Sequence, residues 1–303
     1  MFYWGQSQLI VLALMVAAMR AMERDRDGTA GLLIAIAGLL RAYPLLLVGY
    51  FVIRRKWRAV VLATTGIAAG VLVTVAALGS TQTLSFVHGA LWLTDYSVVN
   101  RVDNLSLGPF VSRTFWALTG TASGSAHDWI RRACIAVGDL IVLGVTIRAT
   151  LADANRGDPD WRIYSLWIAT SLMLTPVGWH HYLVLLAIPF VQLVASAADG
   201  RSSSRAVWMA ALSYSLGAFS LRVFNRFLVP PPTAFQLSFP WLVRALEETS
   251  FIALLTGYIA SYWFATDHAR ALPAIQPTTV AVRPLTLDPR SLTAPASSAT
   301  SPH

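Results

Sequence analysis

The stretch that decides the fold is LTPVGWHHY, residues 174–182, which interrupts an apolar run extending from Tyr164 to Val194. It places two adjacent histidines, a tryptophan and a Pro/Gly break where the flanking sequence is suited to a bilayer. Polar groups at membrane depth are costly, and non-helical backbone is tolerated there only beside protein or a water-filled cavity. We therefore expect this stretch to line a polar cavity at the outer side of a polytopic membrane protein.

The composition of the chain also favours a membrane location. Of its 303 residues, 55% are hydrophobic and 13% are charged, whereas soluble domains carry about 25% charged residues. The formal net charge is +8, but the basic residues flank apolar spans instead of forming one basic face. This pattern argues against nucleic acid as a partner and favours membrane lipids. The single cysteine, Cys134, cannot form an internal disulfide.

A second interruption lies nearer the N-terminus, where RAYP, residues 41–44, separates the apolar segments Gly31–Leu40 and Leu45–Ile53. Each segment has about half of the roughly 20 residues that a membrane span needs. Basic loops flank the pair on both sides, so a straight helix would place one of them outside, against the orientation rule. The proline also disfavours a continuous helix. The sequence predicts a short helical hairpin with RAYP at its tip.

The remaining segments complete an all-α polytopic bundle. Tyr164–Leu174 and Leu183–Val194 repeat the broken-hairpin pattern, with the histidine pair at the tip. Four further segments are predicted to cross the membrane: Val60–Leu78, Ala133–Leu151, Val207–Leu221 and Phe251–Phe264. Residues 79–129 and 225–241 are predicted to lie outside. The membrane domain should occupy residues 1–266, followed by a disordered cytoplasmic tail, residues 267–303, rich in Pro, Ala, Thr and Ser.

Arg41 is a candidate ligand of an anion. A charged residue at the centre of a membrane helix costs about 2.5–3.5 kcal/mol on insertion scales, so Arg41 should have a partner or a cavity. The guanidinium matches the geometry of phosphate oxygens. The alternative is an internal ion pair with Asp139, which also lies within an apolar run.

The histidine pair has two possible roles. One imidazole could contact a phosphate or transfer a proton while the protein holds the other. Alternatively, His180 and His181 lie near the lipid headgroups, with Trp179 and Tyr182 as interfacial aromatics. The two rings would diverge by about 100° on a helix, and the sequence lacks HxxxH, HExxH or CxxC spacing. We therefore expect neither a metal site nor a cofactor.

The predicted outer region mixes amides, hydroxyls and guanidiniums at Asn104, Ser106 and Arg113. Such a set can bind a sugar or a phosphate, although an ordinary solvated loop has a similar composition. Asp95 and Asp103 are carboxylates in the same region, and either could act as a general base. Neither is assigned that role.

The order of the motifs resembles one known family. GQSQ at residues 5–8, AGLL at 30–33, RAYPLL at 41–46, RRKWRA at 54–59, DNLSL at 103–107 and TPVGWHH at 175–181 occur in the order seen in glycosyltransferase family 87. These are polyprenyl-phosphate-mannose-dependent α-mannosyltransferases of the GT-C superfamily. The resemblance extends from about residue 5 to about residue 264.

This resemblance implies a GT-C-like enzyme at the outer face of the plasma membrane. It would transfer a hexose, expected to be mannose, from a polyprenyl-phosphate donor to a lipid-linked or cell-envelope glycan. The implied residues that bind the donor phosphate or substrate are Arg41, Tyr43, Asn104, Ser106, Arg113, Trp179, His180 and His181.

The chain departs from the family pattern in three respects. The family usually has lysine at the position of Arg41, and the spacing between the tryptophan and the histidine pair is shorter here. GT-C enzymes carry a catalytic aspartate in the first outer loop, after the first helix, and we expect this base in an N-terminal loop that is missing here. The catalytic residue is therefore unassigned. The alternatives are a transporter or flippase, which would use similar broken helices, an inactive truncated remnant and a non-catalytic scaffold.

Overall fold

The computed structural model describes residues 3–92, 104–120, 128–154, 160–200, 202–223, 246 and 248–271. Eleven α-helices occur in these ranges: α1 (Tyr3–Met22), α2 (Asp27–Leu40), α3 (Leu47–Ile53), α4 (Trp57–Leu78), α5 (Ser80–Trp92), α6 (Leu107–Thr119), α7 (Asp128–Ala154), α8 (Trp161–Leu174), α9 (Ala187–Ala198), α10 (Ser204–Val223) and α11 (Thr249–Ala271). Two 3-10 helices, Tyr43–Leu46 and His180–Leu186, lead into α3 and α9. The described residues form no strand, which confirms the all-α fold.

Three of the described helical segments are long and apolar enough to cross a membrane, namely Trp57–Leu78, Asp128–Asp153 and His180–Ala198. Large apolar side chains on α4 and α7, including Leu72 and Leu140, are exposed on the surface of the bundle. In water such a surface would be unfavourable, but it matches a hydrocarbon environment. The protein is therefore an all-α membrane protein.

The hairpin predicted around RAYP is present. α2 ends at Leu40, the backbone of the next residue, Arg41, is extended, and Pro44 lies in the first turn of the following 3-10 helix. Proline is tolerated there because the first turn of a helix does not use its backbone N–H groups. The two ends of the hairpin meet, since Lys56 Nζ lies 3.2 Å from an oxygen of Asp27. The chain therefore returns to the end of the bundle from which it started.

The second hairpin is also present, but its returning arm is longer than predicted. α8 begins with the Asp160 carboxylate accepting a hydrogen bond from the Arg162 backbone N–H at 2.7 Å, a common N-cap arrangement. The 3-10 helix and α9 then bring the chain back, and Arg162 donates to Ser196 Oγ at 3.2 Å. The returning arm, His180–Ala198, has 19 residues, because the histidines belong to the helical segment and not to a separate loop.

The described part of residues 79–129 is more regular than an outer loop. α5 and α6 occupy much of this region, although its composition is polar and aromatic. Asp95, Asp103 and the predicted outer loop at 225–241 lie outside the described residues. α11 continues to Ala271, past the predicted start of the tail at residue 267. The chain divides into the units Met1–Ala271 and Leu272–His303, and the second lies outside the described part, so the tail stays a prediction.

α2 and α4 pack closely along their length. A Cβ atom on Gly31 would lie 2.2 Å from the carbonyl oxygen of Ala59, and one on Gly70 would lie 2.3 Å from the Leu39 side chain. Small residues allow membrane helices to approach in this way. Because early residues of α2 contact early residues of α4, the two helices run in the same direction. α3, which lies between α2 and α4 in the sequence, must therefore run in the opposite direction, as a hairpin requires.

Gly31→Ala is expected to destabilise the protein by about 1–3 kcal/mol, because the added methyl group meets the backbone of α4 and not a movable side chain. Gly144→Ala is the matched control, since a Cβ on this α7 glycine meets no atom within 4 Å. The control should be neutral or stabilising by about 0.5–1 kcal/mol. Thermal unfolding in detergent measures both, and equal effects would contradict the proposed packing of α2 on α4.

Candidate functional site

The two hairpin tips meet at one end of the bundle. We call residues 41–44 the first tip and residues 175–182 the second tip. The rings of Tyr43 and Tyr182 are 5.3 Å apart between centroids, and the Arg41 guanidinium lies 5.9 Å from the centre of the Tyr182 ring. The His181 ring packs against the same tyrosine, with a centroid distance of 4.8 Å. Arg41 and His181 are therefore on the same side of the protein, separated by one aromatic ring.

The N-terminal part of α1 forms a further side of this cluster. Arg41 donates a hydrogen bond to Ser7 Oγ at 3.1 Å, and the Tyr43 hydroxyl donates to Gln8 Oε1. Gln8 is completely buried. Burying a serine or glutamine side chain in an apolar bundle costs free energy unless its polar atoms form hydrogen bonds. α1 therefore contributes residues to the site as well as to the core.

Three polar atoms in this cluster have no hydrogen-bond partner among the described residues: Gln8 Nε2, Arg41 Nε and His181 Nε2. Each of these nitrogens is buried at the atomic level, and each can donate a hydrogen bond, His181 in the appropriate tautomer. An unsatisfied buried donor costs about 1–3 kcal/mol. Three such donors on three elements that contact one another form a set suited to an oxygen-rich anionic ligand.

A network around Asn104 holds the second tip. The Asn104 amide nitrogen donates to the Pro176 carbonyl at 3.1 Å, and its amide oxygen accepts from the Gly178 N–H at 2.8 Å. Ser106 Oγ donates to the same oxygen at 2.9 Å. The backbone of Asn104 also forms an antiparallel bridge with Trp179. Asn104 and Ser106 are completely buried, so their polar groups are used to fix the tip.

Arg113 of α6 and His180 of the second tip contact residues at the start of α11. Arg113 forms a two-pronged ion pair with Glu248, with donor–acceptor distances of 2.9 and 2.7 Å, and donates to the Asn104 carbonyl at 3.0 Å. His180 Nε2 lies 2.6 Å from Ser250 Oγ. His180 and Arg113 therefore contact other parts of the protein, whereas His181 has an unpaired nitrogen.

All eight residues predicted to bind the donor or substrate lie in these connected contacts. Their binding role is not tested by the contacts and stays a prediction.

The alternative prediction, an ion pair between Arg41 and Asp139 of α7, is wrong. Arg41 donates a hydrogen bond to Ser7, and the described residues show no ion pair between Arg41 and Asp139. Sequence reasoning missed Gln8, Glu248 and Ser250. Glu248 and Ser250 could have been found, because acidic and hydroxyl residues just before the apolar run of α11 are typical of a helix N-terminus.

A comparison with protein-family models identifies the family. The model of glycosyltransferase family 87 matches residues 1–176. The chain belongs to glycosyltransferase family 87. Membership implies a membrane glycosyltransferase with a sugar donor and a glycan acceptor. The match covers the first tip, Asn104, Ser106 and Arg113, and it ends just before His180. A search of curated proteins and a search of solved structures each found no match.

The two histidines should respond differently to substitution. His180→Ala removes a buried group bonded to Ser250 and is expected to destabilise this family 87 chain by about 1–3 kcal/mol. His181→Ala removes an imidazole whose Nε2 is unpaired, so stability should change by less than about 1 kcal/mol. Thermal unfolding of both variants in detergent provides the comparison. A larger loss of stability for His181→Ala would contradict the assigned contacts.

Proposed function

We propose that this chain transfers mannose from a polyprenyl-phosphate donor to a lipid-linked or cell-envelope glycan at the outer face of the plasma membrane. The observation that carries the proposal is the convergence of Gln8, Arg41 and His181, each with an unpaired buried nitrogen. A phosphate group presents several acceptor oxygens and negative charge, which suits one guanidinium, one amide and one imidazole.

A mostly apolar crevice that extends from Leu12 to Arg20 along α1 suits the lipid part of the donor. It has a volume of about 240 Å³ and lies between α1 and α9. Its lining is formed by the apolar residues Leu12, Val16, Trp161, Ala187, Ile188 and Val191 and by the polar residues Arg20 and Gln192. Leu12 is one helical turn from Gln8, so a chain attached to a phosphate at the tips could continue directly into the crevice. Apolar burial of this kind contributes about 0.8 kcal/mol per CH₂ group.

The proposed reaction is a displacement at the anomeric carbon of the donor sugar. The acceptor hydroxyl loses its proton and its oxygen bonds to that carbon, while the bond to the phosphate oxygen breaks and the polyprenyl phosphate leaves. Arg41 and His181 would stabilise the negative charge that develops on the departing phosphate. The proposal assigns no base, because Glu248, which is linked to the second tip through Arg113 and Asn104, is already held in an ion pair.

The distribution of basic residues supports the proposed orientation. The end of the bundle opposite the tips carries the Arg54–Arg58 cluster and the charged turn after α1, which includes Arg24 and Arg26. Short loops rich in arginine and lysine remain on the cytoplasmic side. The tips would then face away from the cytoplasm, where envelope glycans are available as acceptors.

Arg41→Gln is expected to lower kcat/KM for mannosyl transfer about 100-fold, the usual cost of removing one charge-stabilising donor. The assay is transfer from polyprenyl-phosphate-mannose to an envelope glycolipid extract in membrane vesicles that contain the full chain. Arg132→Gln is the control, since Arg132 is 75% exposed at the tip end of α7 and pairs with Asp128 at the surface. Transfer by the wild type that is unaffected by Arg41→Gln would contradict the phosphate site. Lipid movement across the vesicle without any glycosidic product would instead support a flippase.

The orientation has its own test in intact cells. With Cys134→Ala as the background, Ala42→Cys should react with a membrane-impermeant thiol reagent added outside, because Ala42 is exposed at the first tip. Arg58→Cys, exposed at the opposite end, should react only after the cells are permeabilised. The reverse labelling pattern would place the tips in the cytoplasm and contradict the proposal.

A further inference from the structure

The Arg113–Glu248 ion pair is almost fully enclosed by protein. The Arg113 side chain is 7% exposed and the Glu248 side chain 12% exposed, and both carboxylate oxygens accept from the guanidinium. Replacing a buried pair of this kind by apolar residues is often neutral or stabilising, since desolvation offsets the attraction. Stability alone therefore does not explain the pair, and its fixed geometry is the more informative property.

The pair is linked to the second tip through Asn104. Arg113 donates to the Asn104 carbonyl, and the Asn104 side chain bonds to the backbone of Pro176 and Gly178. The Leu105 N–H also donates to the Gly178 carbonyl at 2.6 Å. These bonds matter because the tip has little regular structure of its own: Thr175 and Trp179 are both extended.

α11 reinforces the same connection from its first turn. Ser250 lies within hydrogen-bonding distance of His180, and Phe251 stacks on Phe110 of α6 with ring centroids 3.9 Å apart. Glu248 immediately precedes these residues. The start of α11 therefore contacts both α6 and the second tip.

We infer that the Arg113–Glu248 pair is a positioning device that uses Asn104 to hold the second tip so that His181 faces Arg41. Arg113 and Glu248 are then positioning residues for the reaction and do not contact the donor. The inference assigns Arg113 a role different from phosphate binding, and it rests on the proposed function for its kinetic consequence. It also means that the part of the chain beyond the family match supplies an essential counter-charge to the part within it.

Glu248→Gln tests the kinetic part of the inference. This variant keeps the size of the side chain and removes its charge. The interaction with Arg113 therefore weakens, and no cavity is created. We expect kcat/KM for mannosyl transfer to fall roughly 10- to 100-fold, the effect of a misplacement of about 1 Å at a reacting group. Glu248→Asp, which keeps the charge, should recover part of the loss.

Asp153→Asn is the matched control for a buried ion pair. Arg54 and Asp153 are 4% and 7% exposed, with a nitrogen–oxygen distance of 3.0 Å, but they lie at the opposite end of the bundle from the tips. The control should lose thermal stability to a similar extent as Glu248→Gln. Its kcat/KM, measured on folded protein, should stay within about twofold of the wild type.

A spin label gives a readout that does not depend on activity. In a Cys134→Ala background, a label at Pro176→Cys, an exposed position of the second tip, reports the motion of that tip. Glu248→Gln should increase the mobility of the label, whereas Asp153→Asn should leave it unchanged.

The two measurements separate the inference from the proposed function. If the wild type transfers no mannose but Glu248→Gln still frees the label, the proposed reaction fails and the positioning device stands. Unchanged mobility in Glu248→Gln would overturn the inference whatever the rate. An equal gain of mobility in Asp153→Asn would also overturn it, because the effect would then reflect general destabilisation.

Discussion

The contact between the two hairpin tips is the constraint on which the polar end of the bundle depends. Tyr43 and Tyr182 pack against each other, and this packing places Arg41 and His181 around a common ring. An arginine at this depth is costly without partners, and Ser7 satisfies only part of its guanidinium. The tips hold the remaining donors close together without pairing them, which is the basis of the proposed phosphate site.

The hairpins could be predicted because their causes are local. Pro44 prevents a continuous helix, and the short apolar arms together with the flanking arginines require the chain to turn back. The same rules apply at residues 174–182. They gave the position of both tips and placed them on one side, although the returning arm of the second hairpin proved longer, since the histidines continue into a 3-10 helix.

The partners of the site residues could not be predicted in the same way. Gln8 lies in an apolar helix, and although GQSQ at residues 5–8 belongs to the family resemblance, its partner Tyr43 is known only from the tertiary contact. Glu248 is 135 residues from Arg113 in sequence, so no local pattern joins them. A composition argument also missed α5 and α6, because the polar residues of these helices resemble those of a loop.

The two histidines of the second tip differ in their hydrogen-bond partners. His180 is hydrogen-bonded to Ser250, and Asn104 holds the backbone that precedes His180. Several buried polar groups are therefore used to fix one short segment. Such groups are costly unless fully paired. His181 is the exception in that segment, since its Nε2 is unpaired, and it is therefore the histidine that we propose for the phosphate contact.

The most direct test of this account is the distance between spin labels on the two tips, at Ala42→Cys and Pro176→Cys in a Cys134→Ala background. Pulsed electron paramagnetic resonance on the protein in lipid nanodiscs gives the distribution of that distance. The account predicts one narrow population well below the roughly 30 Å thickness of the bilayer core. A main population at or above that thickness would place the tips on opposite faces of the membrane and contradict the shared site.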